Sequence, residues 1–213
     1  MCKNFGIGFS EVISFISGAA IAIFSEPIRR WLFSPKINVG FESNDGCVVR
    51  TIGILPTTDA PIDMYYIRLR VINTHRFIAK DCRPYLVNIE REEKGKFLKT
   101  EYCDSIPLAW SCQGGKDRFI PMDIPKDVNQ YIDVLCTTRY SDSFNPQIMA
   151  IPIRYQPLFK EKGKFRFTVE VCAENTAPTK TTFVFEWNGV WDKFAVNGRY
   201  PNTENMTSGE IKE

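Results

Sequence analysis

From Phe165 to Val171 the chain reads Phe-Arg-Phe-Thr-Val-Glu-Val, and that strict alternation constrains the fold more than any other feature. Successive strand side chains point to opposite faces, so an apolar period of two gives one dry and one wet face. The period returns at Ile37, Val39 and Phe41, at Ile67, Leu69 and Val71, and at Tyr85, Val87 and Ile89. It returns again at Ile132, Val134 and Cys136, and at Thr181, Phe183, Phe185 and Trp187. Half-buried strands of this kind build antiparallel sheets with one face on a core. No long pattern of period 3.6 intervenes, which argues against crossover βαβ units. Turn chemistry punctuates the series at Asn44-Asp45-Gly46, Gly114-Gly115, Lys162-Gly163 and Asn188-Gly189. Asn188-Gly189, between Trp187 and Val190, predicts a tight hairpin.

Residues 37–196 are therefore expected to form a mainly β domain, an antiparallel β-sandwich of immunoglobulin-like type with its strand order open. A minimal sandwich takes roughly 100 residues. The excess predicts extra strands or long loops around 104–128 and 140–160. The tail 197–213 is polar and aperiodic and is expected to be disordered.

Ahead of Pro35 the pattern differs. From Phe5 to Phe24 the only charge is Glu11. A bilayer-spanning helix needs about 20 mainly apolar residues. Val12–Phe24 reaches that length by extending back through Phe5–Phe9, with Glu11 inside the bilayer. It also reaches it by extending forward to Ile28, with Glu11 at the outer headgroups and Arg29 and Arg30 at the inner ones. The second register is preferred, because a carboxylate at depth costs about 2.5 kcal/mol or more. A span over roughly 8–30 follows, within an anchor and juxtamembrane segment 1–36. A signal peptide would want positive charge before the apolar run, where only Lys3 stands, although Ala20-Ile21-Ala22 could mimic its cleavage site. A buried amphipathic helix is the other alternative, since Ser10, Glu11, Ser14, Ser17, Gly18 and Ser25 form a polar stripe. The positive charge sits downstream at Arg29, Arg30 and Lys36, which orients the large domain to the cytoplasm and brings Trp31 and Phe33 to the inner interface. Ser14, Gly18 and Ala22 form a small-residue ladder that would let the span self-associate or meet a partner helix.

The seven cysteines agree with a cytoplasmic domain. Their number is odd, their spacing irregular and no Cys-x-x-Cys occurs, so reduced thiols are expected rather than a disulfide framework.

The stretch YYIRLRVINTHRFIAKDCRPYLVNIE (65–90) carries a V-x-N-T-x-x-x-x-A-x-x-C pattern. With PLAWS (107–111), DVLC (133–136) and FRFTVEVCAENTAP (165–178), it resembles uncharacterised bacterial proteins with one N-terminal span and a cytoplasmic immunoglobulin-like sandwich. The resemblance implies a fold and a topology but no activity. The chain departs from the pattern at His75, where a glycine often follows Asn-Thr.

Chemistry is sparse. A net charge of +2 is too balanced for a nucleic-acid binder driven by bulk electrostatics. The single histidine, His75, and the cysteine spacing leave no zinc motif. Asp59, Asp63, Asp117, Asp123, Asp127 and Asp133 do not follow a calcium-loop spacing, and Gly114-Gly115 lacks a phosphate-loop frame. No catalytic residue, metal or cofactor is expected. His75 with Cys82 could form a nucleophilic pair, but a core cysteine beside an exposed loop histidine is the simpler reading. Two surface hypotheses remain. The basic run His75, Arg76, Lys80 and Arg83 could meet an anionic leaflet or be a solvated turn. Trp110, Trp187 and Trp191 could anchor an interface or fill the core, with Trp110 and Trp191 the candidates for exposure. The expected function is a single-span, membrane-anchored, non-enzymatic interaction or ligand-binding module facing the cytoplasm, touching the lipid bilayer and a protein partner or itself, and no nucleic acid. The alternatives are an enzyme with a non-obvious site, for which Cys82 is one candidate, or a cell-surface or periplasmic binding domain of opposite topology with paired cysteines.

Overall fold

The computed structural model describes residues 33–42, 46–54 and 60–201. In chain order the strands are β1 (Ile37–Gly40), β2 (Val48–Ile54), β3 (Pro61–Asn73), β4 (Ala79–Glu93), β5 (Lys96–Lys99), β6 (Ile106–Pro107), β7 (Ala109–Trp110), β8 (Met122–Ile124), β9 (Asn129–Thr138), β10 (Phe144–Pro146), β11 (Gly163–Ala173), β12 (Thr176–Trp187) and β13 (Phe194–Val196). The first sheet runs β1-β3-β9-β10, with β2 also on β3 and β7 also on β9. The second runs β13-β12-β11-β4-β5, with β6 and β8 also on β4. These pairings are antiparallel throughout.

One hydrophobic core joins the sheets. Ile67, Leu69 and Val71 of β3, and Phe165, Phe167, Val169 and Val171 of β11, have no exposed surface. Phe144 of the first sheet inserts among rings of the second, 5.2 Å from Phe165, 5.3 Å from Phe185 and 6.0 Å from Trp187. Tyr65 of β3 meets Phe194 of β13 edge-on at 5.4 Å. The expected excess over a minimal sandwich is filled at 104–128 by β6, β7, β8 and a 3-10 turn (Gly115–Phe119), and at 140–160 by β10 and two further turns.

Alternation is faithful on β3, β11 and the second half of β12, and breaks where strands bulge. On β4 the inward residues are Pro84 and Leu86, not Tyr85 and Val87. The pairing with β11 slips between Thr168 and Val169, leaving Val87 as an extra residue and returning Ile89 to the core. On β9 the slip leaves Val134 over, so Ile132 and Leu135 both face inward opposite Leu69 and Ile67. Cys136 and Asp133 then lie on the other face, opposite Tyr66 and Arg68.

Asn188-Gly189 does not make the expected two-residue hairpin. Trp187 pairs with Phe194, so residues 188–193 form the connection. Asn188 instead accepts the Val190 N–H on its own side chain at 3.0 Å, an Asx turn that Gly189 completes at φ +89°. Asn197 accepts the Val184 N–H at 2.8 Å, just past β13.

The predicted span 8–30, with its flank Arg29, Arg30, Trp31 and its ladder Ser14, Gly18, Ala22, lies outside the described residues, as does most of the tail. Among the described residues no helix is long and apolar enough to cross a membrane.

Candidate functional site

The site is the end of the sheets where the chain enters them. Register places it: Ile37 pairs with Asn73, so β1 begins where β3 ends. Thr74 then donates its backbone N–H to the Lys36 carbonyl at 2.9 Å. Thr176 Oγ1 donates to the Pro35 carbonyl at 2.8 Å and Thr179 Oγ1 to that of Ile37 at 3.3 Å. Residues 35–37 are thereby fastened to both sheets.

Asn73 builds the loop that follows. Its side chain is fully buried. Nδ2 donates to the carbonyls of Phe77 at 2.6 Å and Ile124 at 3.0 Å, and Oδ1 accepts the His75 N–H at 3.0 Å. Asn73 therefore braces the turn over His75 through its own side chain. Asn175, in the β11–β12 turn, accepts the Lys80 N–H at 3.0 Å and donates to the Ile78 carbonyl at 2.9 Å.

So held, the loop 74–78 projects an aromatic and cationic cluster. The Phe77 ring meets Phe33 edge-on at 5.1 Å and His75 at 5.3 Å, and the Arg76 guanidinium lies 4.8 Å from its centroid. Phe33 is 45% exposed and Ile78 46%, large apolar surfaces for a soluble loop. His75 Nδ1 is buried with no hydrogen-bond partner among the described residues. No carboxylate occurs in 33–36 or 74–78, while Lys36, Arg76 and Lys80 are all exposed. The neighbouring Lys126 is paired with Asp127 at 3.3 Å.

The sequence candidates scatter. His75, Arg76 and Lys36 come together, with Lys80 just behind them. Arg83 does not join: it pairs with Cys172 in mid-sheet, half-buried. Trp110 is a correction, because it is fully buried between the sheets and cannot be a surface anchor. Trp191 is half-buried at the other flank of the fold, 5.4 Å from Tyr65 and 5.8 Å from the Arg50 guanidinium. Cys82 is fully buried, and burial pushes its thiol up to about 12, the opposite of what a nucleophile needs. Burial likewise pushes Cys136 up to about 12 and raises Cys47. The six described cysteines are unpaired.

Two polar clusters went unread in the sequence. Asp133 is buried on β9 and accepts from Arg68 Nε at 2.7 Å and Arg118 at 3.0 Å. Burial raises its carboxyl despite both arginines. The pair ties the turn 115–119 to the first sheet, a structural role. Its signal was a charge inside an apolar strand run. In the second cluster the buried Tyr155 donates its hydroxyl to Asp104 Oδ2 at 2.8 Å and accepts the Cys103 N–H at 3.3 Å. The Tyr155 hydrogen bond, then that of Arg154, holds the Asp104 carboxyl below its usual range. Nothing in the sequence pattern joined residues so far apart. Among the described residues no group of three or more His, Cys, Asp or Glu is placed to hold a metal ion.

No protein-family model and no curated protein sequence matches the chain.

Proposed function

We propose that the protein is a single-span, membrane-anchored, non-enzymatic interaction or ligand-binding module whose β domain faces the cytoplasm. One observation carries it: the chain enters the β domain through 35–37, which hydrogen bonds fasten to both sheets. An anchor just upstream then holds the domain at a set orientation rather than on a loose tether. The apolar run ending at Ile28 and the charge of Arg29, Arg30 and Lys36 support the anchor and its polarity. Six described cysteines without a disulfide suit a reducing compartment.

The sheet order supports an immunoglobulin-like sandwich. With β1 and β2 sharing one edge position, β2-β3-β9-β7 corresponds to an A-B-E-D sheet and β12-β11-β4-β5 to G-F-C-C′. Such sandwiches commonly recognise partners, although fold alone does not fix function.

The test is a pair of reporters fused after Glu213. A reporter active only in the cytoplasm should work, and the chain should stay with membranes after alkaline carbonate washing. Activity of an export-dependent reporter would reverse the orientation, and release by carbonate would remove the anchor.

A further inference from the structure

We propose that Phe33, Lys36 and the loop 74–78 form a second membrane contact, which seats the headgroups of anionic phospholipids in the leaflet from which the chain emerges. The inference rests on the anchor reading above and adds the partner of this end of the domain.

Chain length argues for the occupant. Thirty-two residues precede Phe33, and the apolar run among them ends at Ile28 with Arg29 and Arg30 directly after it. Three residue steps separate Arg30 from Phe33, a reach of at most about 11 Å. With Arg30 at the headgroups, Phe33 remains at or just below the interfacial layer, which is several ångströms thick on each side. Thr74 is hydrogen-bonded to Lys36, so the loop 74–78 is carried to the same depth.

The chemistry fits that depth. Arg76 offers a planar, forked donor set that matches a phosphate, and Lys36 offers a point charge. Phe33, Phe77 and Ile78 supply the apolar and aromatic surface that settles at the boundary between headgroups and acyl chains. The absence of carboxylates in 33–36 and 74–78 leaves that patch positive. The exposed acid nearest in sequence, Asp81, lies beyond Lys80, outside the patch; among the acids on the adjoining 123–127 segment, Asp127 pairs with Lys126 and Asp123 accepts the Asp81 N–H at 3.0 Å. A free phosphate would use Arg76 and Lys36 but gives no role to Phe33 and Ile78, so a lipid is the occupant.

Hydrogen exchange on the full chain tests this, in nanodiscs of phosphatidylcholine alone or with added phosphatidylglycerol. The peptide covering 74–78 should exchange about fivefold more slowly in the anionic discs, the factor for one basic residue at the surface. Arg76→Glu should abolish that difference and Arg76→Gln reduce it, while the peptide covering Gly163–Ala173 stays unchanged as a check on folding. Equal exchange in both discs, in a chain that resists carbonate, would overturn the contact and leave the anchor standing. Loss of the chain from membranes would overturn both. Slowing by inorganic phosphate in phosphatidylcholine discs would overturn the lipid assignment. Slowing by soluble polyglutamate there would overturn it too, in favour of an acidic protein.

Discussion

Phe144 and Phe77 each gather a set of aromatic neighbours, but they do so in opposite surroundings. Phe144 is fully buried between the sheets, with five rings within 6.0 Å: Phe159, Phe165, Phe167, Phe185 and Trp187. Phe77 is half-buried at the edge, and its neighbours include His75, Arg76 and the exposed Phe33. In the first cluster the rings displace water from the junction of two sheets, and burial supplies the stabilisation. In the second the rings stay partly wet and one of them, Phe77, holds the Arg76 guanidinium at its face, an arrangement worth little to folding. Similar side chains thus serve the fold in one place and the surface in the other, and their partners distinguish the two roles.

The contrast predicts a large asymmetry on truncation. Phe144→Ala should cost about 3–5 kcal/mol, since a fully enclosed ring leaves a cavity the sheets cannot collapse into. Denaturant unfolding followed by tryptophan fluorescence would read the loss as a lower midpoint at unchanged slope. A cost under about 1 kcal/mol would mean the two clusters are alike after all.

A pH series separates the dry side from the wet one. Burial holds the Cys82 and Cys136 thiols neutral to about 12, against about 9 when unfolded. A folded pKa raised above the unfolded one contributes stability that is present below about pH 9 and lost as pH rises toward 12. The loss is about 1.4 kcal/mol per pH unit for each such thiol, so about 3 kcal/mol for the pair by pH 10. Comparing unfolding at about pH 8 and pH 10 should show that fall, and Cys82→Ala with Cys136→Ala should reduce it by about that amount whatever the variant's baseline stability. Burial raises Cys47, Cys172, Tyr65, Tyr66 and Tyr102 as well, and their share would remain in the double variant.

How much of this was legible follows the same divide. Period two identified the buried faces of β3 and β11, because the extra residue at each slip lies on the partner strand, β9 or β4, and the alternation of β3 and β11 runs on over the core stretch. It failed on β4 and β9, where Val87 and Val134 are bulged residues that look like ordinary strand positions in sequence. It is silent on Trp110, whose short strand β7 carries too few residues for any period. At the candidate site the basic residues of 74–80 were readable as a run. Phe33 and Lys36 were not readable as their neighbours, since the β1–β3 register joins them and register is a tertiary property. Asn188-Gly189 failed differently: the turn chemistry was real, but Asn188 used its own side chain to close it.

Asn73 connects the two regions, being buried like the core yet bonded to the loop. Asn73→Ala would strand the Ile124 carbonyl in the interior and free the Phe77 carbonyl and the His75 N–H of the loop, at a cost of about 2 kcal/mol. It should also speed amide exchange across 74–78 well beyond the change elsewhere, which hydrogen exchange reads directly. Uniform loosening of the whole chain would instead make the loop an integral part of the core.

The smallest expected effect falls on Arg76. Its guanidinium has ring contact but no ion pair or hydrogen bond recorded with a described residue, and it is exposed. An exposed cation over a phenyl ring contributes about 0.5–1 kcal/mol at most, and part of that returns as side-chain entropy and hydration on removal. Arg76→Ser should therefore move the unfolding midpoint by no more than about 0.5 kcal/mol, within the usual span of surface substitutions. The measurement is denaturant unfolding of the full chain in neutral detergent, where no anionic lipid is present to add a second term. A loss above about 1 kcal/mol would give Arg76 a structural role, and the Phe77 cluster would then belong with the Phe144 cluster as part of the fold. A near-neutral result leaves the guanidinium uncommitted by the fold, as a group waiting for an external anion has to be.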